Sequence, residues 1–232
     1  MTKILQPPNQ TYILFTTNVG PKNKPSLGIG TGITLEDCYR NCIGVIPPED
    51  LNIEFCITRD KNKIKNSTRI ILPGVSNFSH SMNNIIKLGL DKVLEVEIID
   101  KKKPVLGICS GMQILCTSSE EGHANGLNFV NGKIKKFPED LILRVPHIGW
   151  NKIQANNNSL FKNIDSEERF YFCHSYFFEP DTENHEIVTS KTKYGNFFCS
   201  SFSYKNIFGV QFHPEKSQDV GKKLIQNFLN SF

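Results

Sequence analysis

Apolar runs and apolar residues at helical spacing alternate along the first half of the chain. Short runs rich in strand-forming residues predict strands at residues 12–17, 52–58, 68–72 and 105–108. Between them, helical spacing predicts one helix with apolar positions at Leu35, Cys38, Tyr39 and Cys42, and one or two helices from Asn77 to about Val96. Strands that alternate with helices are typical of a mostly parallel sheet covered on both faces.

The second half of the chain has a different pattern, with short strands separated by turns. Strands are predicted at residues 126–136, 141–145, 150–154, 169–177, 197–203 and 207–212, and a hairpin is predicted at residues 204–206. Residues 217–230 predict an amphipathic helix capped by Ser217, with one apolar face formed by Val220, Leu224, Ile225 and Phe228. Because no repeat or linker interrupts this order, residues 1–232 are predicted to form a single α/β domain with a β-rich second half.

Composition excludes several classes of function. The chain has 232 residues and a net charge of +4, without a basic stripe carrying interleaved aromatic residues, so no nucleic-acid partner is expected. The lysine run 101–103 is predicted to be a solvated loop, with docking of an anionic partner or substrate as the alternative. Seven cysteines without regular spacing favour reduced thiols and predict neither a metal site nor a cofactor.

No targeting or membrane segment is predicted. Residues 1–10 lack the apolar core of a signal peptide, and no apolar run approaches the roughly 20 residues needed to span a bilayer. We therefore expect a soluble, cytoplasmic protein that does not associate with a membrane.

The candidate nucleophile is Cys109. The apolar run 105–108 predicts a buried strand, residues 113–117 predict a helix, and Cys109 lies between them, flanked by Gly107 and Gly111. This is the G-x-C-x-G form of a tight strand-to-helix turn, in which a side chain at either glycine would crowd the backbone. The first turn of a helix favours a thiolate, which is the nucleophilic form. A lone cysteine is more commonly a small buried apolar residue, but the glycines and the turn favour catalysis.

A base and an orienting acid are predicted at the end of a later strand. The apolar residues before His213 predict a strand, and Pro214 favours an extended conformation for His213. Side chains two residues apart in extended chain point the same way, so His213 and Glu215 should lie side by side. A carboxylate in that position can fix the tautomer of the imidazole and stabilise its protonated form. A lone histidine would be more commonly structural; the neighbouring acid and the strand end favour a catalytic base.

Taken together, these motifs resemble the class I glutamine amidotransferases, which are Cys-His-Glu enzymes that hydrolyse glutamine and pass ammonia to a synthase. The resemblance covers roughly residues 67–231 and is strongest to the branch of glutaminase subunits of imidazole glycerol phosphate synthase. It is carried by G-I-C-S-G-M-Q at residues 107–113 and G-V-Q-F-H-P-E-K-S at 209–217. The branch is indicated by L-P-G-V at 72–75, S-S-E-E-G at 118–122, G-L at 126–127, V-P-H-I-G-W-N at 145–151 and F-Y-F-C-H-S-Y at 170–176.

The resemblance implies the flavodoxin-like fold of the family and a role for each matching residue. Cys109 would be the nucleophile, His213 the general base and acid, and Glu215 its orienting carboxylate. The backbone N–H groups of Val75 and Ser110 would form the oxyanion hole. The remaining matches are residues that would bind the substrate L-glutamine, namely Gly74, Gln113, Ser175 and Tyr176, and residues that would face a (β/α)8-barrel cyclase subunit in a heterodimer, namely Pro146, Trp150, Asn151, Tyr171 and Lys216.

The sequence departs from the branch at three places, so it leaves open which synthase this chain serves. Residues 18–33 form a longer Gly/Pro-rich loop than the short turn of the branch, Ser76 replaces a glycine after L-P-G-V, and Ser110 replaces a larger apolar residue. One alternative is a paralogous glutaminase that supplies ammonia for amidation of a nucleotide-activated sugar in surface polysaccharide synthesis. A second alternative is a non-catalytic binding module, which the complete set of nucleophile, base and acid disfavours.

Overall fold

The computed structural model describes residues 10–14, 54–138 and 144–231, and the predicted helix at residues 35–42 lies outside them. In chain order the elements before the nucleophile turn are β1 (Gln10–Leu14), β2 (Glu54–Thr58), α1 (Lys61–Asn66), β3 (Arg69–Gly74), α2 (Phe78–Lys87), α3 (Leu90–Leu94), a π-helical segment (Glu95–Asp100) and β4 (Val105–Cys109). The predicted alternation of strands and helices is confirmed over the described part of this half.

Within the described residues, the second half contains more strands than the first. Its elements are α4 (Ser110–Gln113), β5 (Cys116–Ser119), β6 (Ala124–Asn125), β7 (Val130–Lys136), β8 (His147–Lys152), β9 (Gln154–Ala155), β10 (Arg169–His174), β11 (Tyr176–Pro180), β12 (Val188–Tyr194), β13 (Asn196–Tyr204), β14 (Ile207–Val210) and α5 (Gln218–Ser231). Short 3-10 turns lie at Ser159–Phe161, Thr182–Ile187 and Pro214–Lys216.

Among the described residues, a 12-stranded sheet dominates the fold, with the order β2-β1-β3-β4-β14-β13-β11-β7-β5-β6; β12 also pairs with β13, and β9 pairs with β12. The strands from β2 to β14 pair in parallel, whereas β14, β13, β11 and β7 pair antiparallel. The β-rich half therefore extends a parallel sheet with antiparallel strands. A separate ribbon of β8 and β10 pairs Trp150 with Tyr171 and His147 with His174.

Alternate residues of the central strands enter two hydrophobic cores. Ile71, Leu106 and Val210 pack in the core that contains Leu224 and Phe228 of α5. Leu72, Val105 and Ile207 pack in the other core, which contains residues of α2 and α3. Because neighbours in a strand point to opposite faces of the sheet, helices cover both faces and the central strands are buried throughout.

Several local predictions differ from the structure. The helix predicted at residues 113–117 is wrong, because α4 ends at Gln113 and Cys116 begins β5, which pairs in parallel with β7. The predicted strand at 169–177 is interrupted at Ser175, where the chain passes from the ribbon to the large sheet. Strand β12 was not predicted, and its polar Thr189, Ser190 and Thr192 are buried there.

Two predictions about polar side chains also differ. Lys103 of the predicted solvated loop is buried, and its ammonium group lies 2.7 Å from a carboxylate oxygen of Glu97 and 2.8 Å from the carbonyl oxygen of Ile64. The hydroxyl of Ser217 accepts a hydrogen bond from the Tyr171 N–H and donates to the His213 carbonyl instead of capping α5. The ribbon and the segment after β14 are joined in this way. The predicted apolar face of α5 is confirmed, with Leu224, Ile225 and Phe228 buried.

Candidate active site

The turn at Cys109 joins β4 to α4 and has the backbone geometry of a nucleophile elbow. Cys109 has φ 53° and ψ −117°, a conformation that residues other than glycine rarely adopt. A Cβ on Gly111 would lie 1.7 Å from the carbonyl oxygen of Leu72, and one on Gly107 would lie 2.6 Å from the Cα of Met112. The two glycines therefore allow α4 to pack directly on strands β3 and β4, as the sequence predicted.

His213 and Glu215 follow β14, the strand next to β4 in the sheet. The Nδ1–H of His213 donates to Glu215 Oε1 over 2.6 Å, and both side chains are buried. The Cys109 side chain lies close enough to His213 to raise the pKa of the imidazole. Nucleophile, base and acid, predicted from two distant motifs, are thus brought together at the ends of adjacent parallel strands.

The charge of the neighbouring groups controls the protonation of His213. Burial alone lowers its pKa, but the negative charges of a Cys109 thiolate and of Glu215, with the hydrogen bonds that both make, raise the pKa well above the ordinary value. This environment favours the protonated form of His213, next to Cys109. Such a pair supplies a nucleophile and a proton donor in the same contact.

The predicted oxyanion residues flank the elbow. Gly74, a predicted substrate-binding residue, is paired with Cys109 across β3 and β4, and a Cβ on Gly74 would lie 2.1 Å from the Ser110 hydroxyl. Val75 follows at the strand end and is 49% exposed. The Ser110 hydroxyl is buried, without a hydrogen-bond partner among the described residues. The hydroxyl of Ser76 lies 2.6 Å from that of Ser81 in α2, which ties the turn after Val75 to the helix.

The predicted substrate-binding residues lie next to the elbow. Ser175 and Tyr176 are half-buried at the junction of β10 and β11. Gln113 is buried, and its amide nitrogen donates to the Tyr176 carbonyl over 3.1 Å and to Gln211 Oε1 over 3.0 Å. In this structure the Gln113 amide is therefore engaged by the protein itself.

Gln211 is a site residue that the sequence analysis missed. It is fully buried, and its amide nitrogen lies 3.6 Å from Cys109 Sγ. The alternation that placed His213 beside Glu215 extends back to Gln211, two residues before His213 in extended chain. That spacing was the available signal.

The predicted partner-facing residues lie on or beside the β8–β10 ribbon. Trp150 is 43% exposed and contacts the edge of the Tyr171 ring, and the ammonium group of Lys216 lies 5.8 Å from the centre of that ring. Pro146 is exposed just before β8. The Asn151 side chain is half-buried, and its amide points inward to His147 and to the Lys193 carbonyl.

The structure offers no evidence for a metal centre or a membrane span within the described ranges. Nowhere in residues 10–14, 54–138 and 144–231 do three or more His, Cys, Asp or Glu residues group as metal ligands. Over the same ranges, no helix is long and apolar enough to cross a membrane.

Comparison with known proteins identifies the family. The family model described as glutamine amidotransferase class-I matches residues 46–232. The chain belongs to the class I glutamine amidotransferases. The imidazole glycerol phosphate synthase subunit HisH of Leptospira borgpetersenii is 43% identical to this amidotransferase over 184 residues, which are 78% of this chain and 89% of the relative. The subunit HisH 2 of Methanococcus maripaludis is 42% identical over 180 residues, 77% of this chain and 88% of that protein.

Solved structures share the fold of this amidotransferase. A structure described as that of a glutamine amidotransferase matches with a TM-score of 0.64 at 16% identity, covering 82% of this chain and 92% of that one. A glutamine amidotransferase from Thermotoga maritima matches with a TM-score of 0.56 at 17% identity, covering 96% of this chain and 84% of that one. At these identities the likeness concerns the fold, and it agrees with the predicted α/β class.

Proposed function

We propose that this amidotransferase is the glutaminase subunit of an imidazole glycerol phosphate synthase. It would hydrolyse L-glutamine to glutamate and ammonia. A (β/α)8-barrel cyclase subunit, bound in a heterodimer, would use the ammonia to make imidazole glycerol phosphate and AICAR in histidine biosynthesis. The observation that carries the catalytic part is the buried Cys109–His213–Glu215 arrangement at the ends of β4 and β14. The synthase is proposed because the relatives that cover most of this chain carry its name.

The proposed reaction proceeds through a covalent intermediate. The Cys109 thiolate attacks the side-chain amide carbon of glutamine, and the oxyanion that forms accepts hydrogen bonds from the N–H groups of Val75 and Ser110. The His213 imidazolium gives its proton to the leaving nitrogen, which departs as ammonia and leaves a γ-glutamyl thioester. Neutral His213 then takes a proton from water, the water oxygen attacks the thioester, and glutamate leaves as the Cys109 sulfur regains its starting state.

Neither alternative function has a specific observation in its favour. The relatives carry the name of the histidine-pathway synthase, which does not favour amidation of a sugar. A binding module without catalysis would not need an acid, a base and a thiol buried in mutual contact. Glutaminase activity of the complex is therefore the expected outcome.

The test is the replacement Cys109→Ser, with Cys173→Ser as the matched control. We expect the first to abolish glutamine hydrolysis, because a hydroxyl is far less ionised and less nucleophilic than a thiol. Cys173 is exposed, and only its backbone carbonyl approaches the Cys109 sulfur, over 3.8 Å, so its replacement should preserve activity.

Labelling provides an independent measurement. An electrophilic glutamine analogue should modify Cys109, as mapped by mass spectrometry of peptides. Burial raises the pKa of Cys116 well above its ordinary value and that of Cys199 to about 12, so these thiols should stay unmodified. A label found on Cys116 or Cys173 instead would refute the assignment of the nucleophile.

A further inference from the structure

Two buried histidines connect the ribbon to the active site. His147 in β8 and His174 in β10 are 3% and 6% exposed, and His147 Nδ1 lies 3.1 Å from His174 Nε2. The His147 ring is stacked between those of Phe172 and Tyr194, with centroid distances of 4.7 and 3.9 Å. None of the proposed catalytic steps uses either imidazole.

The surroundings of this pair determine which nitrogen carries each proton. The Tyr176 carbonyl can only accept, so His174 Nδ1, 2.7 Å away, is the donor and His174 Nε2 is an acceptor. His147 Nδ1 must then donate to His174, which leaves His147 Nε2 as an acceptor for the Asn151 amide nitrogen at 3.3 Å.

The same donor and acceptor directions follow from the Asn151 end of this series of hydrogen bonds. The Asn151 amide nitrogen also donates to the Lys193 carbonyl over 3.0 Å, and its oxygen accepts the Lys152 N–H over 2.9 Å. Backbone groups thus fix the orientation of the amide independently of the histidines. Burial lowers the pKa of His147 to about 4 and is the main cause that lowers the pKa of His174 to about 3, so both rings are neutral near pH 7.

From Tyr176 the hydrogen bonds continue to the nucleophile. Its carbonyl also accepts from Gln113 Nε2 over 3.1 Å, which fixes the orientation of that amide. Gln113 donates in turn to Gln211 Oε1 over 3.0 Å, so the amide nitrogen of Gln211 faces Cys109 Sγ at 3.6 Å. A donor in that place stabilises a thiolate. Side-chain amides and imidazoles, joined through the Tyr176 backbone carbonyl, thus form a chain of hydrogen bonds from Asn151 to the sulfur.

We propose that Asn151, His147 and His174 are positioning residues that act through the Tyr176 carbonyl and the Gln113 amide to aim the Gln211 N–H at the Cys109 sulfur. The proposal rests on the proposed glutaminase function and adds to it a route from the ribbon to the nucleophile. Trp150 and Ile148, on the outer face of the same strand, are exposed, whereas His147 and Asn151 are on its inner face. A synthase subunit that shifts β8 would therefore move Asn151, the first residue in this chain of hydrogen bonds.

The first test compares His147→Phe with Tyr194→Phe in the complex with the synthase subunit. His147→Phe keeps a ring between Phe172 and Tyr194 but breaks the hydrogen-bond chain between Asn151 and His174. Tyr194→Phe keeps the stacked ring and removes only the hydrogen bond from its hydroxyl to the Arg144 carbonyl. For His147→Phe we expect kcat for glutamine hydrolysis to fall about tenfold, with KM and the Kd for the synthase subunit within about threefold of wild type. Tyr194→Phe should match wild type in all three.

A double-mutant cycle separates positioning from general loss of packing. Residues that act independently give multiplicative losses, whereas members of one hydrogen-bonded network do not. The double variant His147→Phe/Gln211→Leu should be about fivefold or more faster than the product of the single losses predicts. If His147→Phe does not fold, Asn151→Ala replaces it in the same cycle, because the Asn151 side chain is only half-buried.

Each outcome bears on one proposal. If the wild-type complex does not hydrolyse glutamine, the proposed function is refuted. If the wild-type complex is active but His147→Phe behaves like Tyr194→Phe, or the cycle is multiplicative, the positioning role is refuted and the glutaminase function remains.

Discussion

At the scale of single residues, the proposed catalysis depends on the hydrogen bond between His213 and Glu215. Glu215 contacts His213 over 2.6 Å in a buried setting, so its negative charge balances the imidazolium that the proposed mechanism requires. The role of the carboxylate is thereby distinct from that of the ring, which transfers the proton itself. Replacing each residue in turn should separate the two contributions.

We expect His213→Ala to lower glutaminase turnover by about 10³-fold or more and Glu215→Gln to lower it less. The amide of Gln can still accept a hydrogen bond from Nδ1 but cannot balance the charge of the ring. Steady-state assays of both variants in the complex would measure the difference, with thermal unfolding as the control for folding. Equal losses in two folded variants would mean that Glu215 does more than orient and stabilise the base.

At the scale of secondary-structure elements, the turn after β3 links substrate chemistry to helix α2. The proposed oxyanion donor, the Val75 N–H, lies in this turn. The Ser76 hydroxyl is tied to Ser81, whose hydroxyl also donates to the Asn77 carbonyl over 3.0 Å. At the start of α2, the Phe78 N–H donates to a carboxylate oxygen of Glu121 over 2.7 Å. The turn is therefore held from two sides, which restricts reorientation of the Val75 peptide.

Ser76→Gly should raise the rate at which the isolated glutaminase hydrolyses glutamine about tenfold, because it removes one hydrogen bond of about 1 kcal/mol and frees the backbone. The rate in the complex with acceptor substrate present should stay nearly the same, since the partner already favours the active orientation. The control Ser81→Ala removes the same hydrogen bond, together with the one from Ser81 to the Asn77 carbonyl, without freeing the backbone at residue 76, and should raise the basal rate about fivefold. Full activity of the isolated wild-type protein, equal to that of Ser76→Gly, would contradict this account.

The elements also show what could be predicted from the sequence. Strands β3, β4 and β14 and helix α5 were predicted because their apolar patterns are strong, and the triad followed because glycine spacing and strand alternation are local rules. The helix predicted after Cys109 failed because α4 ends where the chain joins the parallel β5–β7 pair, a contact between distant segments. Strand β12 was not predicted because it lacks an apolar pattern: polar residues occupy core positions, where the buried Thr189 and Ser190 hydroxyls form hydrogen bonds with Ser201 in β13.

At the scale of the whole molecule, the two neutral histidines make stability depend on pH. The folded-state pKa values of His147 and His174 are about 4 and about 3, below the ordinary value of 6.5. At pH values between these folded-state pKa values and 6.5, the two histidines bind protons in the unfolded chain but not in the folded chain. Stability from this source is therefore complete above about pH 6.5 and is lost as the pH falls toward the folded-state values. The raised pKa of His213 acts only above pH 6.5, so it does not oppose this loss.

We expect the free energy of unfolding to fall by about 1.4 kcal/mol per pH unit for each of these histidines between about pH 6 and pH 4.5. Urea unfolding at a series of pH values measures the slope. A flat profile over this interval would show that the two imidazoles are protonated in the folded protein.

The position of β14 determines when the active site can assemble during synthesis of the protein. This strand lies in the middle of the sheet, between β4 and β13, although it is the last strand in the chain. During synthesis, β4 and Cys109 leave the ribosome about a hundred residues before β14 and His213, so the edge of β4 waits for the strand that will cover it. The nascent thiol has no base until the sheet closes. The time at which glutamine hydrolysis first appears during translation would therefore mark the completion of the fold rather than the synthesis of Cys109.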